Sequence, residues 1–326
     1  MDGKIALEEH FAIEETLAPS EGYAVDNSWD ALRMRLLDLG ELRLAEMDRH
    51  GIGCAIQSLN APGIQAIHDI PLAIRTARIA NDALARAVRA HPNRYAGFAA
   101  LPMQDAKAAA AELTRAIEQL GFKGALVNGY SQVDRPGRVV YYDAPEYLPF
   151  WETVERLNVP FYLHPRDPLP AREPIYDGHP WLFGPVWAFG AETSVHALRL
   201  MASGLFDRHP GLKVILGHLG EGLPCSIWRC DHRLAKLPRG IPARRPFGEY
   251  LRANFHVTTS GFFWTPTLKA VVAEMGVDRV MFSVDYPFED TADGATWFDR
   301  AEISEAERRM IGRGNAAELF GLAEIG

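Results

Sequence analysis

Five residues of metal-binding type lie at or beside the ends of apolar runs that are far apart in the sequence. They are Glu8, His10, His164, His218 and Asp285. Because side chains of a strand alternate between its two faces, Glu8 and His10 point the same way and Glu9 points elsewhere. Two carboxylates and one or two imidazoles suit a divalent ion such as Mn²⁺ or Zn²⁺, with positions left open for water or substrate. These residues predict a catalytic metal site if the fold brings them together.

Eight apolar runs of β-strand character alternate with helical patterns along the chain. They span residues 4–10, 54–59, 94–101, 123–128, 160–164, 213–218, 255–260 and 280–285. This alternation predicts an α/β fold, a TIM-type (β/α)8 barrel, in which the carboxyl ends of all eight strands face one opening. The five metal-type residues are therefore expected to converge at that opening.

Helical patterns separate most of these runs, and several have recognisable ends at Gly51, Pro71 and Gly121. The predicted helices span residues 41–50, 71–91, 106–120, 145–157, 192–208, 265–275 and 304–320, the last broken at the glycines 312 and 314. Residues 11–40 and 166–191 are expected to be long loops without helices that wall the pocket and cover the substrate. We predict a single barrel domain over residues 1–326.

Composition limits the class of protein. A chain of 326 residues with 48% hydrophobic content can fill one large core. The net charge of -8 and the absence of a long basic run argue against nucleic acid or an anionic membrane as partner. The three cysteines lack the spacing of a disulfide framework or structural zinc site. Without a signal-peptide pattern or long apolar run, a cytoplasmic location is expected.

Each candidate residue also has an ordinary structural explanation. A single histidine in an apolar strand is more often a hydrogen-bonded core residue, although five metal-type residues at strand ends together favour a site. Glu221 could orient His218 or hold a substrate hydroxyl, or it could be an acid at a helix N-terminus. Arg229 suits a substrate carboxylate or a surface ion pair. Asn128 can donate a hydrogen bond in the pocket or close a turn.

The whole chain resembles the metal-dependent decarboxylase branch of the amidohydrolase superfamily, and within it most closely the γ-resorcylate (2,6-dihydroxybenzoate) decarboxylases. The resemblance rests on the motifs ALEEHF at 6–11, SLNAPG at 58–63, GALVNG at 124–129, VPFYLHPR at 159–166, GHLGE at 217–221 and FSVDYPFE at 282–289. It implies one divalent ion per chain, Mn²⁺ or Zn²⁺, held by Glu8, His10, His164 and Asp285. It also implies a homo-oligomer, a dimer or a tetramer.

The reaction that this resemblance implies is non-oxidative decarboxylation of an ortho-hydroxybenzoate, most closely 2,6-dihydroxybenzoate to resorcinol and CO₂. Asp285 would protonate the ring carbon, and His218 with Glu221 would manage the hydroxyl proton. Four further residues are expected around the aromatic acid: Arg229, Tyr23, Phe288 and Asn128. Tyr23 stands where these enzymes usually have Phe, which leaves room for a substrate that differs by a hydroxyl or methoxyl group.

No Gly-x-Gly-x-x-Gly turn is present, so no organic cofactor is predicted. The same ligand set also fits a mononuclear metal hydrolase of a lactone or amide, with Asp285 as general base. A third interpretation is a non-catalytic barrel that only binds a ligand.

Overall fold

The structure, a computed structural model, describes residues 1–24, 28–135, 137–169 and 174–322. Parts of the predicted loops, residues 25–27 and 170–173, and the end of the predicted domain, residues 323–326, lie outside the described residues. The strands are β1 Lys4–Phe11, β2 Ile52–Leu59, β3 Tyr95–Ala99, β4 Gly124–Asn128, β5 Ser131–Gln132, β6 Val139–Val140, β7 Phe161–His164, β8 Val214–Leu216, β9 Phe255–Thr258 and β10 Val280–Met281.

The helices are α1 Glu14–Leu17, α2 Trp29–Leu37, α3 Glu41–Arg49, α4 Ile70–Ala90, α5 Ala106–Glu118, α6 Leu148–Leu157, α7 Ala188–Ala202, α8 Leu205–Arg208, α9 Leu223–Lys236, α10 Phe247–Asn254, α11 Thr265–Met275, α12 Thr291–Arg300, α13 Glu305–Arg309 and α14 Asn315–Phe320. No helix in the described ranges is long and apolar enough to cross a membrane.

Eight of the strands form one parallel sheet in the order β1-β2-β3-β4-β7-β8-β9-β10, with helices between successive strands. The predicted α/β TIM-type barrel is therefore confirmed. The short strands β5 and β6 pair with each other in an antiparallel hairpin beside the barrel. Because parallel barrel strands are covered on both faces, they are buried along almost their whole length.

Alternate residues of each strand pack in two separate cores. Ile5, Leu7 and Tyr162 belong to a cluster inside the barrel that the C-terminal helix also enters. Ala6 and Leu163 belong to the larger cluster between the strands and the surrounding helices. This separation is the period of two that a pleated strand imposes on its side chains.

The first strand departs from this alternation just before its candidate ligands. Its pairing with β2 shifts register between Ala6 and Glu9, which marks a β-bulge. The bulge places Glu8 and His10 on the same inner side as Leu7, although strict alternation would place them with Ala6. The direction of both side chains therefore depends on this irregularity.

Several sequence-based boundaries are wrong. The segment 11–40, expected to lack helices, contains α1 and α2, and α7 begins at Ala188, inside the segment 166–191 that was also expected to lack helices. The long helix α9, absent from the predicted helices, follows the glycine-rich stretch after His218, which agrees with Glu221 as an acid near a helix N-terminus. That helix starts after Gly222 and carries Pro224 in its first turn, a pattern that favours a helix N-terminus. The last barrel strand ends at Met281, so Asp285 lies in the loop beyond it rather than at its end.

Candidate active site

Four of the candidate ligands meet at the carboxyl end of the barrel. Glu8, His10, His164 and Asp285 each offer one atom, and these atoms lie within 4.8 Å of one another. Nε2 of His164 is 3.0 Å from Oε1 of Glu8, and Nε2 of His10 is 3.0 Å from Oδ1 of Asp285. The four side chains therefore converge as barrel topology predicts, since the carboxyl ends of β1 and β7 and the segment after β10 lie at the same end of the barrel.

The unpaired atoms of this group fit a bound cation. Oε1 of Glu8, Nε2 of His10 and Oδ1 of Asp285 are buried. Their close approaches to one another's side chains lack the angles of a hydrogen bond, so none of the three atoms has a hydrogen-bond partner within the described part of the chain. Burial of unpartnered polar atoms is costly unless a ligand satisfies them. Two carboxylate oxygens and two imidazole nitrogens are a donor set that Mn²⁺ and Zn²⁺ both accept. The residues present therefore fit one divalent ion.

The second carboxylate oxygen of Glu8 is held by three hydroxyl groups. Tyr162, Thr258 and Ser260 all donate to Oε2, Thr258 at 3.3 Å. Burial alone would raise the pKa of Glu8, but the neighbouring imidazoles, His218 first, hold that pKa far below its usual range. Glu8 therefore remains a carboxylate, with one oxygen fixed by hydroxyls and the other directed at the cation position.

Sequence reasoning missed Tyr162 as a site residue and left Thr258 and Ser260 without a role. A signal was available, since Tyr162 is two residues before His164 on the same strand and so must share its inner face. A further contact that the sequence did not indicate fixes His10, whose Nδ1 lies 3.1 Å from the hydroxyl of Ser58 on β2. Contacts of this kind orient the ligands of a metal.

His218 and Glu221 form a pair beside the four ligands. Nδ1 of His218 is 2.7 Å from Oε1 of Glu221, and Nε2 of His218 is 3.6 Å from Oδ2 of Asp285. Burial would lower the pKa of His218, but the carboxylates of Glu221 and Glu8 raise it well above its ordinary value. Nδ1 of His218 is thus held by Glu221, and its Nε2 faces the ligand cluster.

A cavity of about 620 Å³ opens onto this group. Its floor has the polar groups His218, Glu221, Asp285 and Glu289, and its walls are mainly apolar, with Trp187, Phe189, Leu223 and Phe262 among the lining residues. A concave, mostly apolar pocket with a few convergent polar groups is typical of a small-molecule site. The cavity is large enough for a substituted benzene ring.

Two of the predicted substrate contacts lie at the edge of the ligand cluster. Phe288 packs edge-on against His10, with ring centroids 5.6 Å apart, and Tyr23 packs edge-on against Phe288 at 6.3 Å and Phe189 at 5.7 Å. The hydroxyl of Tyr23 is directed to Asp167, 3.5 Å away. Burial raises the pKa of Tyr23 beyond its ordinary value, so the phenol stays protonated.

The remaining predicted contacts differ in position. Asn128 lies opposite His164 in the β4–β7 ladder, and its buried side-chain oxygen has no hydrogen-bond partner among the residues that the structure describes. Arg229 lies on the exposed face of α9 and is not brought to the other candidates within this chain. Glu289, which sequence reasoning did not select, lines the cavity beside Asp285.

Comparison with known proteins agrees with this geometry. The sequence model of the family described as Amidohydrolase matches residues 41–322. The chain belongs to this family. It is 58% identical to the gamma-resorcylate decarboxylase of Polaromonas sp. strain JS666, over 99% of each chain. The resemblance inferred from the motifs is thus confirmed.

Two solved structures show the same fold. One is 2,6-dihydroxybenzoate decarboxylase complexed with 2,6-dihydroxybenzoate, with a TM-score of 0.97 and 57% identity, covering 98% of this chain and 100% of that one. The other is dihydroxybenzoic acid decarboxylase from Polaromonas sp. JS666 with bound manganese and the inhibitor 2-nitroresorcinol. Its TM-score is 0.97 at 58% identity, covering 99% of this chain and 98% of that one.

Proposed function

We propose that this protein is a carboxy-lyase that decarboxylates 2,6-dihydroxybenzoate, or a close ortho-hydroxybenzoate, to the corresponding phenol and CO₂ without oxidation. The observation that carries the proposal is the ring of four ligand atoms within 4.8 Å of one another, three of them buried and unpartnered among the described residues, beside the His218–Glu221 pair. The high identity to decarboxylases of this substrate class supports it.

Glu8, His10, His164 and Asp285 would hold one divalent ion, and manganese is bound in a close relative. Such an ion, when bound, would supply positive charge that stabilises the anionic form of an ortho-hydroxybenzoate. The protein adds His218, whose imidazole lines the same cavity as Asp285. The aromatic rings of Phe288 and Tyr23 restrict the orientation of the substrate ring.

The proton transfer is assigned to Asp285. Its carboxyl group would donate a proton to the ring carbon that carries the carboxylate, and the bond to the carboxylate carbon then breaks, returning its electron pair to the ring and releasing CO₂. Nε2 of His218, 3.6 Å from Oδ2 of Asp285, is placed to hold the ortho hydroxyl proton, with Glu221 fixing the imidazole. The net change is loss of CO₂ and gain of one proton.

The test is anaerobic incubation of metal-analysed, Mn²⁺-loaded protein with a panel of ortho-hydroxybenzoates, following ring absorbance and CO₂ together. Matching release of CO₂ and resorcinol from 2,6-dihydroxybenzoate is expected. If no acid of the panel released CO₂ while the protein held one metal per chain, the decarboxylase proposal would be wrong and a metal hydrolase would replace it.

Several large apolar side chains are exposed on the surface of the single chain. Trp187 is 63% exposed, Val186 67% and Trp228 68%, more apolar surface than an isolated chain usually leaves in water. We therefore propose that residues 1–326 act as one domain in a cytoplasmic homo-oligomer, a dimer or tetramer that covers this surface. Light scattering on the purified protein would show the mass directly.

A further inference from the structure

The barrel closes between its first and last strands without a strand ladder. Within the described residues, β1 and β10 are the two ends of the strand order, and no pairing joins them. This seam separates the candidate ligands, because Glu8 and His10 lie on β1 and Asp285 follows β10. Across it, the backbone N–H of His10 donates to the carbonyl of Tyr286 at 2.6 Å.

Where the strand ladder between β1 and β10 is missing, the side chains of Ser283 and Glu9 supply hydrogen bonds across the seam. The backbone N–H groups of Leu7 and Glu8 both donate to the hydroxyl of Ser283, at 3.1 and 2.7 Å. That hydroxyl donates in turn to Oε1 of Glu9 at 3.0 Å, and the same oxygen accepts the backbone N–H of Val284 at 3.0 Å. Ser283 and Glu9 are both buried. The Glu9 carboxyl therefore ties β1 to the segment that leads into Asp285.

Asp285 needs such support. Its φ of 83° lies in the left-handed region, which residues other than glycine rarely adopt and which persists only where surrounding contacts impose it. Val284, whose N–H is held by Glu9, is the residue immediately before it. Movement of this segment away from β1 would carry Asp285 away from Nε2 of His10, now 3.0 Å from its Oδ1.

Arg43 provides a second contact on the outer side of the same seam. Its guanidinium donates to the carbonyl of His10 at 2.5 Å and lies over the ring of Tyr286, 4.6 Å from the ring centroid. Arg43 and Glu9 line a small cavity together with Tyr286. Arg43 thus contacts the backbone of β1 and a side chain of the segment that carries Asp285.

We propose that Glu9 is a positioning residue that fixes Asp285 relative to Glu8 and His10 across the barrel seam. Glu9 does not line the cavity of about 620 Å³ proposed for the substrate, since it faces the opposite side of β1 from the ligands. It acts through the backbone of Val284 and the hydroxyl of Ser283. The role of Asp285 in this inference rests on the proposed function.

The experiment compares Glu9→Ala, Glu9→Gln and Ser283→Ala with the wild type, each as the full chain. One sample of each protein is loaded with Co²⁺, whose visible absorption spectrum depends on the geometry of its ligands. A second sample is loaded with Mn²⁺ to measure turnover. Glu9→Ala should change the Co²⁺ spectrum and lower kcat by about tenfold or more, as loss of contacts behind a metal ligand typically does, with KM little changed. Glu9→Gln should have a Co²⁺ spectrum and a kcat close to those of the wild type, because its amide oxygen can accept the hydrogen bonds from Ser283 and Val284. Amide exchange at Val284 should be faster in Glu9→Ala without any metal.

A buried carboxylate away from the seam provides the matched control. Glu112 on α5 is 8% exposed and bonded to Asn81 and Arg115, so Glu112→Ala should lower Tm yet leave the Co²⁺ spectrum and kcat unchanged. The inference is overturned if Glu9→Ala keeps the wild-type spectrum and Val284 exchange, or if folded Glu9→Gln is as altered as Glu9→Ala. Ser283→Ala, expected to shift the same readouts, decides the question if Glu9→Ala does not fold.

Failure of the proposed function would look different. If the wild-type protein released no CO₂ from any benzoate, the decarboxylase assignment would fall, while the Co²⁺ spectra and the exchange rates would still decide whether Glu9 holds the Asp285 segment.

Discussion

Removal of the Tyr162 hydroxyl should weaken metal binding without unfolding the protein. Tyr162 donates to Oε2 of Glu8 and lies 2.8 Å from Oγ1 of Thr258, and both tyrosine and carboxylate are fully buried. Tyr162→Phe keeps the ring that packs against Phe98 inside the barrel and removes only the oxygen. The variant thus isolates the hydrogen bond that orients Glu8.

The expected size follows from the contacts that remain. A hydrogen bond to a charged group contributes about 1.5–3 kcal/mol, and about 1.4 kcal/mol corresponds to a tenfold change in a binding constant. Thr258 and Ser260 still donate to the same oxygen of Glu8, so part of the loss is recovered. We expect Mn²⁺ to bind about 10- to 100-fold more weakly, the range found for residues behind metal ligands.

Competition with a fluorescent chelator would measure the Kd for Mn²⁺ in both proteins. Tyr142→Phe is the control, because Tyr142 is as deeply buried and its hydroxyl lies 2.9 Å from that of Ser131, outside the Glu8 group. Wild-type Mn²⁺ affinity in Tyr162→Phe, together with wild-type affinity in Ser260→Ala, would refute the reasoning that these hydroxyls set the position of Glu8.

Three further outcomes follow from the geometry. Asp285→Asn should still bind Mn²⁺ but lose turnover by about 100-fold or more, since the amide cannot supply the proton, and single-turnover CO₂ release would measure this. In Gly217→Ala the new Cβ would lie 2.8 Å from Oε2 of Glu8, so Mn²⁺ affinity by chelator competition should fall although the fold is retained. Burial, followed by the charge of Asp285, raises the pKa of Glu289 to about 7. The pKa of Glu289 is higher in the folded state than in the unfolded state. The contribution of Glu289 to stability is therefore complete below its unfolded-state pKa and is lost as the pH rises through about 7. Above that pH the ionised Glu289 also repels a benzoate. KM should therefore rise between about pH 6 and 8 and become flatter in Glu289→Gln. The Tm of Glu289→Gln should rise relative to wild type between about pH 4.5 and 7, where only the unfolded state has lost the Glu289 proton.

The meeting of the ligands carried by strands at one end of the barrel could be predicted, because barrel topology brings those strand ends together. The strands that carry Glu8 and His164 are parallel, so their carboxyl ends share one opening whatever the loops do. The position of Asp285 is less regular, since its strand ends at Met281 and a loop residue with a positive φ completes the group. Sequence patterns do not specify such a loop.

Other features depended on contacts that are distant in the sequence. The hydroxyl of Ser283 bonds to Leu7 and Glu9, more than 270 residues away, and no local pattern indicates that pairing. The glycines before α9 indicated a loop, so the helix was not predicted from the sequence. The exposed position of Arg229 on that helix could therefore not be predicted either. Tyr162 was predictable in principle from its spacing to His164, and only its partner Glu8 required the structure.

The bulge in β1 connects these observations. Without it, Glu8 would follow Ala6 into the outer core, and Glu9 would follow Leu7 to the inner side. A bulge leaves backbone donors without regular ladder partners, and here the N–H groups of Leu7 and Glu8 both find the hydroxyl of Ser283. The irregularity that turns Glu8 and His10 toward the cation position is therefore stabilised by the same serine that Glu9 holds across the seam. Barrel closure and ligand orientation at this end of the protein depend on one hydrogen-bond network.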